Sequence, residues 1–353
     1  MTAAQLSDPN PRAAAAAEVA AKIAFLSDPA SYPDRPPSVE VRETHFAWVF
    51  LAGTRAYKLK KASHLRGADW RTPEARELAC REELRLNRQL SAPTYLGVEP
   101  LIETPSGFRI GGNGRAIDWL VVMRRLDERR MLDSVLAAGT LTHGDIDSVL
   151  KFLVDFYQSR NPIPFTPDAY RRRLIGRMDE ALMALQGAKS GLPSAHVAPL
   201  GHELRATLET LGPELARRAN ARRIVEAHGD LRAEHVWLGP PVQIIDALEV
   251  YADLRMLDMA EEIAMLALDC ERPTASWAPA YLRDSYRRLA LDTLSDRLFE
   301  FYMALRATTH AKLAIWHLDD PEQFTDPTPW RERALAAVAT ALRHCRTAAQ
   351  GGS

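Results

Sequence analysis

The hydrophobic period of this chain changes once, near Leu126, and that change limits the folds open to it. Between Ser38 and Leu126 apolar residues recur with the period of two expected of half-buried strands. Val39, Val41, Phe46, Trp48, Phe50 and Leu51 are strand formers, Ala52-Gly53-Thr54-Arg55 suits a hairpin turn, and Ala56 to Lys60 alternates. A second hairpin is expected over 96–104 and 107–111, around Pro105-Ser106-Gly107, and a buried strand over 116–126. One helix interrupts this pattern at 73–90, with Thr72 as its cap and Pro73 in its first position. Beyond residue 130 the spacing fits helices over 130–138, 143–159, 167–186, 195–218, 256–269, 277–290, 294–317 and 329–347. The fold class is therefore α+β: a small mixed sheet of about five strands with one helix, then a larger and mainly helical part. Residues 1–37 precede the sheet as a loose tail, an alanine-rich helix over 12–27, and a linker stopped by Pro29, Pro33, Pro36 and Pro37. The expected division is 1–37, 38–126 and 127–353.

Composition removes several function classes. Lys+Arg is 45 against Asp+Glu 46, so the chain lacks the basic excess that nucleic-acid phosphates require. No apolar run reaches the ~18–20 residues that span a bilayer, and the N-terminus lacks the layout of a secretory signal. Cys80, Cys270 and Cys345 show neither disulfide-framework nor zinc-site spacing and suit a reducing compartment. A cytoplasmic protein with neither nucleic-acid nor membrane partner is expected.

Inside the helical half one segment breaks the pattern. Residues 223–250 hold two short apolar strands around a polar loop and a Gly239-Pro240-Pro241 turn. The loop is His228-Gly229-Asp230-Leu231-Arg232-Ala233-Glu234-His235, and Asp246 follows the apolar run Val242 to Ile245. Two carboxylates on one hairpin can converge to hold a divalent cation and orient a hydroxyl; the plainer reading is a capped turn with ordinary salt bridges.

Lysine usage gives a second signal. Of seven lysines, three (Lys58, Lys60 and Lys61) lie within four positions on the third expected strand, whereas the other 38 basic residues are arginine. Compact point charges there suit phosphate, and Lys58 and Lys60 share one strand face. A solvated edge strand would also carry such charges. The 73–90 helix offers Glu74, Glu77, Glu82 and Glu83, any of which could pair with a strand lysine.

Taken in order, these features resemble a protein-kinase-like phosphotransferase. The 228–235 loop is similar to the HGD loop of the aminoglycoside phosphotransferase family and to the catalytic loop of protein kinases. E-T-H-F-A-W-V-F-L-A-G at 43–53, Y-K-L-K-K at 57–61, E-E-L-R-L-N-R at 82–88 and L-R-M-L-D-M-A at 254–260 resemble an uncharacterised bacterial branch of that family. The resemblance implies a two-lobed fold, with a nucleotide-binding lobe at 38–126 and a catalytic and substrate lobe at 127–353. It implies ATP with magnesium or manganese, and a small-molecule hydroxyl acceptor. Asp230 would be the catalytic aspartate, and Arg232 would stand near the γ-phosphate. Asp246 would bind the metal, with His235 where the family keeps an asparagine ligand. Lys58 would hold the α- and β-phosphates, Lys60 being the alternative register. Glu83 would lock that lysine, Glu82 or Glu74 being the fallbacks, and the pair is expected within salt-bridge reach. The main chain at Val121, Val122, Met123 and Arg124 would face adenine as the interlobe hinge.

Two departures shape the expectation. Imidazole at 235 favours manganese or a single metal, and the Glu43 to Ala47 turn lacks a glycine-rich loop. No GxxxxGK[ST] run is present. The alternatives are an inactive nucleotide-binding pseudokinase or scaffold, and a metal-dependent hydrolase using His228, Asp230, His235 and Asp246. A cationic antibiotic acceptor would want an acidic pocket, for which Asp253, Asp258, Glu261 and Glu262 are the candidates. His45, His64, His310, His317 and the arginines at 171–173 read as ordinary polar or surface residues.

Overall fold

The computed structural model describes residues 11–65, 68–319 and 326–350; the expected tail, except Pro11, lies outside them. The chain forms two compact units, Met1–Asp127 and Glu128–Ser353.

In the first unit α1 (Pro11–Ser27) precedes strands β1 (Val39–Glu43), β2 (Ala47–Ala52) and β3 (Arg55–Lys60). The two-residue strands β4 (His64–Leu65) and β5 (Ala68–Asp69) follow, then α2 (Pro73–Ser91), β6 (Tyr95–Thr104), β7 (Gly107–Ile110) and β8 (Ala116–Arg124). Thr72 caps α2 by accepting the Ala75 N–H, with Pro73 in the first turn. The main sheet runs β1-β2-β3-β8-β6-β7, six strands rather than about five. It is antiparallel at every junction rather than mixed. The physical reason is that β8 inserts between β3 and β6, so the strands joined through α2 never pair with each other.

Period two places Tyr57 and Leu59 on one face of β3, and they enter a core with Leu26, Tyr32, Phe50, Leu101, Leu120 and Val122. Leu26 and Tyr32 come from α1 and the linker, so the segment before residue 38 completes this core. A buried ionic cluster fastens it. Lys22 Nζ lies 2.9 Å from Asp118 Oδ2, and Arg76 of α2 grips the same carboxylate at 2.7 and 2.9 Å. The opposite face of β3 carries Lys58 and Lys60 toward α2.

The second unit is mainly helical: α3 (Leu132–Ala137), α4 (His143–Gln158), α5 (Pro167–Gln186), α6 (Ser194–Thr210) and α7 (Gly212–Asn220). After β9 (Ile224–Glu226), β10 (Val236–Trp237) and β11 (Gln243–Ile244) come α8 (Ala252–Arg255), β12 (Met256–Asp258) and α9 (Met259–Cys270). The chain ends through α10 (Ala278–Ala290), α11 (Asp296–Trp316) and α12 (Thr328–Gln350). The single helix expected over 195–218 breaks at Gly212-Pro213, where proline sits in the first turn of α7. Residues 256–258 are strand rather than helix, and Asp258 caps α9 by accepting the Ala260 N–H. The expected 223–250 hairpin is two pairings. β9 pairs with β12, Ile224 opposite Asp258, whereas β10 pairs with β11 across the Gly239-Pro240-Pro241 turn. Among the described residues no helix is long and apolar enough to cross a membrane.

Candidate active site

In the first unit, Glu83 is fully buried on α2 and receives both strand lysines: Lys58 Nζ at 3.0 Å from Oε1 and Lys60 Nζ at 2.5 Å from Oε2. The two lysines differ in surroundings. Lys60 is 2% exposed, with its ammonium 4.9 Å from the Trp70 ring, whereas the Lys58 side chain is 14% exposed. The expected pair is present, and so is the alternative register. Glu82 pairs with Arg85 instead, and Glu74 is exposed. Cys80 lies on the same helix, its thiol pushed up to about 12 mainly by burial.

The expectation for Val121 to Arg124 needs correction. β8 is flanked on both sides: Val121, Val122, Met123 and Arg124 lie opposite Lys58, Tyr57, Ala56 and Arg55 of β3, and the first three also pair with β6. Arg124 N–H donates to the Thr94 carbonyl and Arg125 N–H to the Thr54 carbonyl. Main-chain groups spent on two ladders cannot also read a base. The first turn of the sheet, also lacking glycine, is closed by Thr44, whose N–H and hydroxyl both donate to the Ala47 carbonyl.

The second unit brings Asp230, His235 and Asp246 together. The loop after β9 turns at Gly229, whose φ of +90° is open to glycine, and whose missing Cβ would meet Arg255 Cγ at 3.0 Å and Leu248 Cβ at 3.2 Å. His235 Nδ1 lies 2.8 Å from the Asp230 carbonyl. A carbonyl only accepts, so in the neutral ring Nδ1 carries the proton and Nε2 the lone pair. That Nε2 is 3.6 Å from Asp246 Oδ2. Asp246 sits at φ +62°, a left-handed conformation costly for a residue with a Cβ.

His228 ties the two segments together. Its Nδ1 accepts the Asp230 N–H at 3.3 Å and its Nε2 donates to the Ile245 carbonyl at 2.8 Å. Burial first, then His235, push this imidazole down to about 4. Both ring nitrogens are engaged, which removes His228 as the metal ligand that a hydrolase would need.

Remote residues finish the loop, and of them the sequence singled out only Glu262, for an acidic pocket. Buried Glu262 of α9 accepts the His228 and Gly229 N–H groups at 3.0 and 2.7 Å and the Tyr157 hydroxyl at 2.8 Å. Asp269 accepts the Ala233 N–H at 3.0 Å. Arg306 of α11 forms an ion pair with Asp230 Oδ1. Burial alone would raise the Asp230 carboxyl; Arg306, His235 and Arg232 overcome that and hold it below the usual carboxylate range. The Asp230 side chain remains 30% exposed and that of Asp246 44% exposed, so both are open to a ligand. Arg232 NH1 lies 2.7 Å from Glu234 Oε1.

The metal-ligand set is small. Asp246 and His235 Nε2 are the residues that could hold a divalent ion. Among the described residues no group of three or more His, Cys, Asp or Glu is placed to hold a metal. Of the bland expectations, the side chain of His64 lies outside the described residues. His317 stacks on Trp330 at 3.7 Å, Arg171 pairs with Glu209, and Arg173 donates to the Asp253 carbonyl. His310 is instead half-buried near Arg306 and Arg232.

Solved structures share this fold. The chain has the protein-kinase-like fold of aminoglycoside phosphotransferases and choline kinases. A choline/ethanolamine kinase family protein from Mesorhizobium loti superposes with a TM-score of 0.54 at 14% identity, over 93% of this chain and 99% of that one. A mutant aminoglycoside 2'-phosphotransferase IIIa in complex with GDP gives 0.54 at 16% identity, over 91% and 96%. In sequence, uncharacterised proteins of Mycobacterium tuberculosis and Mycobacterium bovis are 33% identical over 321 residues, 89% of this chain. The chain spans 60% of the length of these curated relatives. No family model matches.

Proposed function

We propose that this chain is an ATP-dependent phosphotransferase that moves the γ-phosphate to a hydroxyl of a small-molecule acceptor. The observation that carries this reading is the Asp230–His235–Asp246 arrangement, with an accessible Asp230 in an ion pair with Arg306 and with His235 Nε2 3.6 Å from Asp246 Oδ2. Phosphoryl transfer asks little covalent chemistry of a protein; it asks for positioning and neutralised charge. Asp230 accepts the acceptor's hydroxyl hydrogen bond and orients the oxygen. The new bond joins that oxygen to the γ-phosphorus, the bond from phosphorus to the β,γ-bridging oxygen breaks, and ADP leaves. Because Arg306 favours the ionised Asp230, the proton passes to it late, as charge leaves the acceptor oxygen, and then to solvent. Arg232 supplies positive charge beside Asp230 for the γ-phosphate. Asp246 and His235 are the residues that would hold magnesium or manganese, which when bound neutralises phosphate charge. Lys58 takes the α- and β-phosphates while Glu83 and Lys60 hold it in place. Main-chain contacts to the base begin beyond Arg125.

The test is transfer of labelled γ-phosphate from ATP, with magnesium or manganese, to small-molecule hydroxyl compounds. Asp230→Asn should lower transfer by at least about a thousandfold while nucleotide affinity stays within about threefold. Nucleotide binding without transfer under either metal would leave a pseudokinase, and metal-dependent turnover without ATP a hydrolase.

A further inference from the structure

Three of the four carboxylates that could receive a cationic acceptor are committed elsewhere. Asp258 is buried and held by two nitrogens of Arg218 and by the Tyr302 hydroxyl. Glu261 is buried beside Arg177, and Glu262 holds the His228 loop. Of the four acids the sequence offered, Asp253 alone is exposed.

Two arginines stand near Asp230, Arg232 being paired with Glu234. Arg306, with its side chain 5% exposed, ion-pairs with one oxygen of Asp230, and Arg232 stands two residues along the loop. The Nε of each arginine is buried without a hydrogen-bond partner among the described residues. His310 lies one turn beyond Arg306 on α11. Burial first, then Arg306 and Arg232, push its imidazole down to about 3 against the opposing pull of Asp230. His310 is therefore neutral at ordinary pH.

Resting on the phosphotransferase reading, we propose that the acceptor is an anionic hydroxyl compound, carrying a carboxylate or phosphate near its reacting hydroxyl, and that Arg306 selects it. A hydroxyl hydrogen-bonded to Asp230 brings a substituent on the neighbouring carbon within about 4–6 Å of the Arg306 guanidinium. A guanidinium carries five donors in a fork, so one arm can stay on Asp230 while another meets a second anion. Arg306 is largely removed from water, which strengthens that attraction. An ammonium in the same place would meet the Arg306 guanidinium, so amino sugars and quaternary amines are disfavoured by repulsion.

The experiment measures binding to the full chain with ADP and magnesium, apart from any turnover. The probes are glycerate, glycerol phosphate and glucose phosphate; their neutral parents glycerol and glucose; and the cations glucosamine and choline. At least one anionic probe should bind about tenfold or more tightly than its parent, with the cations weakest. Arg306→Gln should reduce that preference below about threefold, and Arg306→Lys, which keeps the charge and protects the fold, should retain most of it. Equal or tighter binding of neutral or cationic probes overturns the proposal, as does an anion preference that survives Arg306→Gln. Absence of anion binding in the unmodified protein overturns it too, even if Arg306→Gln fails to fold. The two readings part cleanly: Arg306-dependent anion binding without phosphate transfer sinks the phosphotransferase, whereas transfer to a cationic acceptor sinks this inference and leaves the phosphotransferase standing.

Discussion

Two lysines on one buried glutamate make a separable prediction, because they differ in what surrounds them. Lys60 is 2% exposed, lies 2.5 Å from Glu83 Oε2 and sits against Trp70. Lys58 is 14% exposed and lies 3.0 Å from Oε1. Replacing Lys60 by Met removes a buried cation, and Lys58 is then the sole lysine on a fully buried carboxylate. Breaking a buried pair by deleting one partner costs about 3–5 kcal/mol; with Lys58 still in contact, about 2–3 kcal/mol is expected. Replacing Lys58 by Met leaves the tighter contact intact and should cost about 1 kcal/mol. Nucleotide affinity should move the other way. A lost charge-assisted contact to phosphate is worth about 1.5–3 kcal/mol, so Lys58→Met should weaken ATP binding about 10- to 150-fold. Lys60→Met should weaken it less than about fivefold. Urea unfolding at constant slope measures the first quantity and titration calorimetry with ATP the second. The reasoning is refuted if Lys60→Met abolishes ATP binding with little change in stability while Lys58→Met leaves ATP binding alone; Lys60 would then be the phosphate lysine.

Three further outcomes follow from other sites. His235→Asn should retain transfer and shift its metal preference from manganese toward magnesium, read from initial rates with each metal, because an amide oxygen is a harder ligand than imidazole. Gly229→Ala forces a Cβ into Arg255 and Leu248 at φ +90°, so it should destabilise by about 1–3 kcal/mol and depress transfer by at least tenfold, measured by unfolding and by labelled-phosphate assay. His344 lies between two carboxylates, with Nδ1 2.6 Å from Glu300 and Nε2 3.3 Å from Glu271. Burial opposes its charge, but hydrogen bonds to Glu271 and Glu300 win and raise its pKa above the ordinary value of about 6.5. That stabilisation is complete below the unfolded-state pKa and is lost as pH rises through the folded one. His344→Ala should therefore lower Tm more at pH ~6 than at pH ~9, and an equal loss at both would count against the charged bridge.

What the sequence made legible divides by separation along the chain. Lys58 and Lys60 could be placed on one face because a strand has a period of two, and Glu83 was a natural partner because α2 begins a short distance after β3. Asp230, His235 and Asp246 lie within one short stretch, so their convergence needed only local turns. The β9–β12 pairing was hidden because a three-residue strand carries little periodic signal and its partner runs straight into α9. Periodicity marks the buried strand at 116–126 but does not tell whether neighbours flank it on one side or two. Arg306 leaves only a faint trace in the sequence. Every residue from Phe301 to Thr308 is buried, so the helix is apolar nearly all round, and an arginine in such a run must find a counter-charge. Naming that counter-charge required the fold, since Asp230 lies 76 positions earlier. The loop motif therefore identifies the chemistry available at Asp230, whereas the charge state of Asp230 and the sign of its surroundings depend on a helix that the motif does not include. Two chains with the same loop can for that reason favour acceptors of opposite charge.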